Sequence, residues 1–500
     1  MVFLTQTPIK KMRNCSLAAL LSATLILFLV ASCTPEAERA PEADVAADLP
    51  ELAVPSSIHD DGSPEFRNNR LYVVDYSNLL HAVSIMATVS RQSEYGHENY
   101  RPELYPEKMM ERAEQWLDMV GTIDRHFNEG GKISRWLDRQ TGAAPEDGNT
   151  DLSLYPHLVY AYHIHHRSGR FEENESLYNR LNRGATNYLV TPGRYLMNEH
   201  YRTGMFQHHD GTVDHKSMSY ALGGLHANAY SWIVWKKPGG QDDMGMLTEA
   251  ALGHHMGHTT DQMVQIYRET AETLDESWDE SRSIYDFGDG TTWRLDAVGA
   301  MIRGKKAMYD FLYMFGNDDD AETSRRIFDR TAAMLEAVAP LAEPWGMPEK
   351  IEFTEDGTRA ASEIVNLYHW YQFLNHLGGG YGLDREREGM PMYIDRYRSD
   401  LKDLIGDLSD NALLGALDYH VNDDGRLVTA VSYGDGSVTD GRLTVSTSGM
   451  FITMAANMYR KGSAFERASD WDDVPEDVAE RSRKLHDFKF DLLERIEEAL

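Results

Sequence analysis

Six times along the chain, a segment that is apolar on nearly every side is followed by one whose apolar positions fall on a single stripe. The all-round apolar segments are 71–89, 154–166, 218–235, 297–315, 364–377 and 443–459, with small residues and no charged face. That pattern predicts helices buried on all sides. Their partners are 106–127, 171–190, 263–278, 327–338, 390–407 and 474–499. In the first of these, Ala113, Trp116, Leu117, Val120, Ile123 and Phe127 recur at helical spacing, so each partner should be a half-exposed helix. The last opens with Asp472 and Asp473 at a cap and Pro475 in the first turn.

Turn signals keep the same rhythm. Six Asp-Gly pairs continue with Ser, Thr or Asn: at Asp61, Asp147, Asp210, Asp289, Asp356 and Asp435, separated by 86, 63, 79, 67 and 79 residues. Each lies ahead of one all-round apolar segment, as a turn delivering the chain to a buried helix would. Six buried helices alternating with six half-exposed ones satisfy every face if the former close an inner ring inside an outer one. An open helical array would instead need polar capping repeats. The expected fold class is therefore all-α, one domain over 57–500, with strands confined to short hairpins such as 426–433 and 194–206.

The start of the chain follows another logic. Lys10, Lys11 and Arg13 precede an apolar run from Leu17 to Val30, and Val30-Ala31-Ser32-Cys33 follows. The run falls short of the ~20 residues that cross a bilayer. It resembles a bacterial lipobox, which implies a signal peptide over 1–32 and lipid on Cys33. Thr34 in place of Asp then implies the outer membrane in a Gram-negative cell, with membrane contact only through the lipid. Residues 33–56, rich in Pro, Ala and acid, should be a disordered tether. Cys15 and Cys33 are the two cysteines, so the folded part has no thiol ligand and no disulfide. Formal charge is −31, which disfavours nucleic acid, while 42% hydrophobic residues suffice for a large core. A monomer is expected.

The alternation resembles the (α/α)6 toroid of carbohydrate-active enzymes, among them polysaccharide lyases and glycoside hydrolases. That resemblance covers 57–500 as a periodicity and implies a polysaccharide or oligosaccharide substrate, met by loops at the entrances of the inner helices. The third such loop concentrates chemistry: His208, His209, Asp210, Asp214 and His215, followed on the helix by Ser217, Tyr220, His226, Asn228 and Tyr230. Imidazoles beside carboxylates and phenols can remove a proton and deliver one. Equally, Asp214 could cap the helix and the histidines be solvated. Resemblance to toroid lyases, which act on uronic acids by β-elimination, implies His215 or His209 as base and Tyr220 as acid. It also implies Asn228 and Arg294 on the sugar carboxylate.

Trp293 and Arg294 on the fourth loop, Trp345 on the fifth, and Glu363 on the fifth inner helix, which also holds Tyr368 and His369, are candidate sugar contacts, through ring stacking or paired hydrogen bonds, unless the indoles plug the loops. A hydrolase would require facing carboxyl groups, Asp214 with Glu363 or Asp151 with Asp296. A non-catalytic glycan-binding lipoprotein would need neither arrangement. No cofactor is expected. His254, His255 and His258, and His163, His165 and His166, are close in sequence but lack the fixed third-ligand spacing of a structural metal site. Gly378 to Gly382 ends a helix instead of opening one, which argues against a phosphate loop.

Overall fold

A computed structural model of the protein describes residues 50, 52–89, 105–144, 152–158, 176, 180, 191–236, 258–378, 399–458 and 476–500, all within one compact unit, Leu49–Leu500. The six inner helices are Val73–Val89, Tyr155–Leu158, His215–Lys236, Leu295–Phe315, Leu367–Gly378 and Val445–Met458. Each packs on the next, and the sixth packs on the first, so the ring closes. Strands close it a second time: Ser57–Ile58 pairs antiparallel with both Pro64–Glu65 and Leu443–Thr444, the strand leading into the sixth inner helix. The outer helices are Tyr105–Thr122, Thr260–Ser277, Asp318–Val338, Ser399–Tyr419 and Glu476–Ala499. Ser176 and Arg180 are helical within the second outer segment, and Arg180 bridges to Glu114 of the first outer helix at 2.8 Å. The protein is an (α/α)6 toroid.

Local chemistry sets the helix boundaries. Thr259 and Gln262 form a reciprocal capping box at Thr260–Ser277, and Asn317 and Asp320 form another at Asp318–Val338. Close approach sets the inner ring's tightness. A Cβ on Gly304 would lie 2.5 Å from Leu222 of the third inner helix, and one on Gly449 would lie 2.7 Å from the Asn78 carbonyl of the first. Glycine is what lets these helix axes approach.

Several sequence expectations shift by a few residues. The first outer helix stops at Thr122 and continues as a π turn, Ile123–Phe127, before the hairpin 128–133. The expected fifth inner segment from residue 364 begins instead as a strand, Ile364–Asn366, because Ile364 to Asn366 pair with Ser432 to Ala430. The tether ends earlier than residue 56. Val54 is fully buried, its N–H donates to Tyr76 Oη, and that hydroxyl donates to the Leu52 carbonyl, so residues 52–56 belong to the domain. The leader, Cys33, and the rest of the second inner and outer segments lie outside the described residues.

Short strands run straight into the inner helices: Arg70–Tyr72 into the first, Thr292–Arg294 into the fourth, Ile364–Asn366 into the fifth and Leu443–Thr444 into the sixth. These entrances therefore share one end of the ring. Among the described residues no helix is long and apolar enough to cross a membrane.

Candidate active site

The third loop does not assemble into a catalytic cluster. Asp214 directly precedes the helix at His215 and accepts from the Ser217 N–H at 2.7 Å, which is a helix cap. It also accepts from His208 Nε2 at 2.9 Å. Burial would raise the Asp214 carboxyl, but His208 and the Ser217 N–H bring it down to about 2, while the same bond raises His208. His209 is exposed and lies 3.4 Å from the Tyr195 hydroxyl, its ring against His200. His215 is buried; its Nδ1 meets Asp289 and its ring stacks on Trp293 with centroids 4.5 Å apart. Tyr220 donates to Asp296 at 2.9 Å. The four candidates His209, Asp214, His215 and Tyr220 thus have four different partners, two of which, Asp289 and Asp296, come from the next repeat.

The proposed sugar contacts need correction. Trp293 is fully buried between His215 and Phe353, so no sugar ring can reach its face. Trp345 plugs its loop: the indole packs edge-on with Tyr419, Nε1 donates to the Tyr433 carbonyl at 2.8 Å, and Gly436 lies against the ring. Glu363 sits before a strand instead of on an inner helix; it is exposed, and its carbonyl accepts from Tyr433 N–H. Arg294 is held bidentately by Asp296. Asn228 lies on the third inner helix, but its side chain, like Asp151 and both histidine runs except His258, lies outside what the structure describes.

Chemistry gathers instead where the inner helices face one another. Tyr368 of the fifth helix lies 2.9 Å from His157 Nε2 of the second. Gln372, one turn on, places its Nε2 3.0 Å from the same nitrogen, and Asn78 of the first helix reaches the Tyr368 hydroxyl at 3.4 Å. With Gln372 donating, Nε2 of His157 is the acceptor, and the Tyr368 hydroxyl donates a hydrogen bond to the same nitrogen. Below this pair, Arg303 of the fourth helix donates to His376 Nδ1 at 3.3 Å. Five of the six inner helices therefore contribute, through Asn78, His157, Tyr220, Asp296 with Arg303, and Tyr368 with Gln372 and His376. Most of these side chains are buried, whereas Tyr368 and Arg294 remain partly exposed.

Burial sets the protonation states. It lowers His81 and His376 well below the ordinary histidine range, with the Arg303 charge adding to the effect, so both rings are neutral near pH 7. The Tyr368 phenol is pushed far up by burial and stays protonated. Burial would raise Asp296, yet the charge of His369 and the Arg294 pair keep it ionised. Asp75 of the first helix, accepting from Ser56 and Ser446, is pushed up to about 6 by burial. Among the described residues no group of three or more His, Cys, Asp or Glu is placed to hold a metal ion.

The sequence pattern placed Tyr368 and His369 on a chemistry-bearing helix but passed over Asn78, His157, Arg303, Gln372 and His376. One signal could have found them. A polar residue inside an all-round apolar helix has no solvent face, so it must meet another polar group inside the ring.

No known protein family and no curated protein sequence matches the chain. Among solved structures it is similar to a sugar epimerase from a ruminal bacterium, at 9% identity and TM-score 0.47, over 83% of this chain and 93% of that one. A cellobiose 2-epimerase from Bacillus thermoamylovorans aligns at 9% identity and TM-score 0.47, over 84% and 94%. A D-mannose isomerase aligns at 10% identity and TM-score 0.47, over 83% and 92%.

Proposed function

We propose that the protein is an exported carbohydrate-active enzyme that removes a carbon-bound proton from a sugar, with His157 and Tyr368 as its proton-transfer pair. The observation that carries this reading is the 2.9 Å contact between a protonated phenol and an acceptor imidazole nitrogen inside the ring. Imidazole and phenol suit proton abstraction next to a carbonyl or carboxylate. The paired carboxyl groups of a glycosidase are not what this part of the ring offers: Asp296 is bound to Arg294 and Tyr220, and Glu349 is bound to His369. On a uronate glycan the reaction is β-elimination: the imidazole takes the proton beside the carboxylate, the carbon–carbon double bond forms as the glycosidic C–O bond breaks, and the Tyr368 hydroxyl gives its proton to the departing oxygen. A second reading, epimerisation or isomerisation, is favoured by a specific feature. His81, His157 and His376 come from three different inner helices and lie close enough to lower one another's proton affinity.

Proton NMR in deuterium oxide tests both, with a panel of uronate-containing and neutral saccharides as substrates. An unsaturated product supports elimination, and deuterium at a sugar carbon without cleavage supports epimerisation. Cleavage with neither would overturn the reading. Export rests on the resemblance of residues 1–33 to a lipobox leader; Cys33→Ser should abolish incorporation of labelled fatty acid, and retained label would exclude that anchor.

A further inference from the structure

Three guanidinium groups stand on three aromatic rings at the entrance of the first inner helix. Arg67 lies 4.1 Å from the centre of the Tyr72 ring, Arg70 lies 3.5 Å from that of Trp136, and Arg139 lies 3.8 Å from that of Phe66. Backbone pairing makes them one patch. Arg70–Tyr72 pairs with Trp136–Asp138, setting Tyr72 opposite Trp136, and Arg139 N–H donates to the Asn69 carbonyl at 3.1 Å. Two consecutive left-handed residues, Asn68 and Asn69, both at φ 55, make the turn that brings Arg67 and Arg70 together. Such conformations cost energy in a non-glycine residue and persist where the surroundings demand them.

Among the described residues the three cations make no ion pair. Asp138, opposite Arg70 in the strand pairing, feels its charge without forming an ion pair, and its Oδ1 accepts from the Gln140 and Thr141 N–H groups and the Thr141 hydroxyl. Arg67 and Arg139 are exposed and Arg70 half-buried, so their outer edges remain available for hydrogen bonds. All this sits on a chain of formal charge −31, which on balance disfavours an anion elsewhere. A fixed guanidinium backed by an aromatic ring is pre-organised for a bidentate oxyanion. The rings beneath Arg139 and Arg70, Phe66 and Trp136, are each partly exposed, so the patch presents apolar surface beside its charges.

We propose that Arg67, Arg70 and Arg139 form a subsite at the mouth of the ring for an anionic sugar unit, carrying a carboxylate or a sulfate ester, of the glycan chain that the ring acts on. The proposal rests on the reading of the ring as glycan-active and names its substrate class. The strand bearing Arg70 enters the helix that supplies Asn78 to the His157–Tyr368 pair. A polymer held on the rim therefore lies at the entrance of that pair.

The test is calorimetric titration of the purified full-length protein with three hexasaccharides: one of polygalacturonate, one of a sulfated galactan and one of cellulose. At low salt the wild type should bind at least one anionic hexamer at least tenfold more tightly than the neutral one, with the margin shrinking in ~0.5 M salt as charges are screened. The preferred anion identifies carboxylate or sulfate. R67Q/R139Q, changed at two exposed positions, should lose at least tenfold in anionic affinity and leave neutral affinity unchanged. Equal binding of all three hexamers by the wild type, no binding of any, or full anionic affinity in the double variant would each overturn the proposal. Failure of the catalytic reading looks different: the rim variant then loses affinity while the wild type exchanges no carbon-bound proton.

Discussion

The Tyr368 hydroxyl points at Nε2 of His157 from 2.9 Å away, joining the fifth inner helix to the second across the interior of the ring. Gln372 and Asn78 flank the contact at 3.0 and 3.4 Å, so both partners are held from two further directions. A buried polar pair so supported has a defined geometry, and its members can be removed one at a time.

Tyr368→Phe removes the proton donor and leaves the ring stack on His157 in place. Turnover should fall by roughly 10²–10⁴-fold, the usual worth of one general acid or base. Stability should fall by only about 1 kcal/mol, the net value of one hydrogen bond. Kinetics and urea denaturation of the same preparation check both figures.

Asp75 makes stability depend on pH. Its carboxyl is raised from 3.8 to about 6 in the folded chain, so the folded state holds that proton more tightly than the unfolded one. The group's contribution is then most favourable below about pH 4 and declines as pH rises through 6. Above that, the charged form costs of the order of 3 kcal/mol, at about 1.4 kcal/mol per tenfold difference in proton affinity between the folded and unfolded chains. Asp75→Asn should flatten this part of the profile. Denaturation midpoints measured from pH 4 to 8 should diverge between the two proteins as pH rises; parallel curves would remove Asp75 as the cause.

Gly449→Val should damage closure of the ring. Even a Cβ at this position would sit 2.7 Å from the Asn78 carbonyl, where neither backbone can yield cheaply. A loss of roughly 1–3 kcal/mol is expected from the overpacking. Because Asn78 donates to Tyr368, turnover should fall as well; a Gly449→Val protein with wild-type stability would contradict the close approach.

Trp293→Ala separates packing from sugar recognition. The indole is fully buried against His215 and Phe353, so its truncation should cost about 3–5 kcal/mol in stability. In the fraction that remains folded, oligosaccharide affinity should be unchanged. A selective loss of affinity with intact stability would restore Trp293 as a sugar platform.

The ring was legible in the sequence because burial writes itself into periodicity. The described part of Val445–Met458 has no solvent face, and its apolar run shows it, whereas Leu295–Phe315 buries Asp296, Arg303, Lys305, Lys306 and Asp310 among its apolar residues. Register at their entrances was less legible, since Ile364–Asn366 becomes a strand only through pairing with Ala430–Ser432, far along the chain. The candidate site was hidden for the same reason. Its members come from five helices and approach only when the ring closes, whereas His208, His209 and His215 drew attention by lying close in sequence. Their contacts proved to be separate ones: a cap and His208 at Asp214, an aromatic cluster at Tyr195 and His200 for His209, and Asp289 and Trp293 from the entrance of the next inner helix for His215.

The most direct test of the central claim compares the two histidine groups. Deuterium exchange at sugar carbons should be followed by proton NMR with wild type, His157→Ala and His209→Ala, on whichever panel saccharide the wild type turns over. Exchange should vanish in His157→Ala with binding retained, and persist at close to the wild-type rate in His209→Ala, whose side chain is exposed. Unchanged exchange in His157→Ala, with exchange abolished in His209→Ala, would contradict the account and return the chemistry to the third loop.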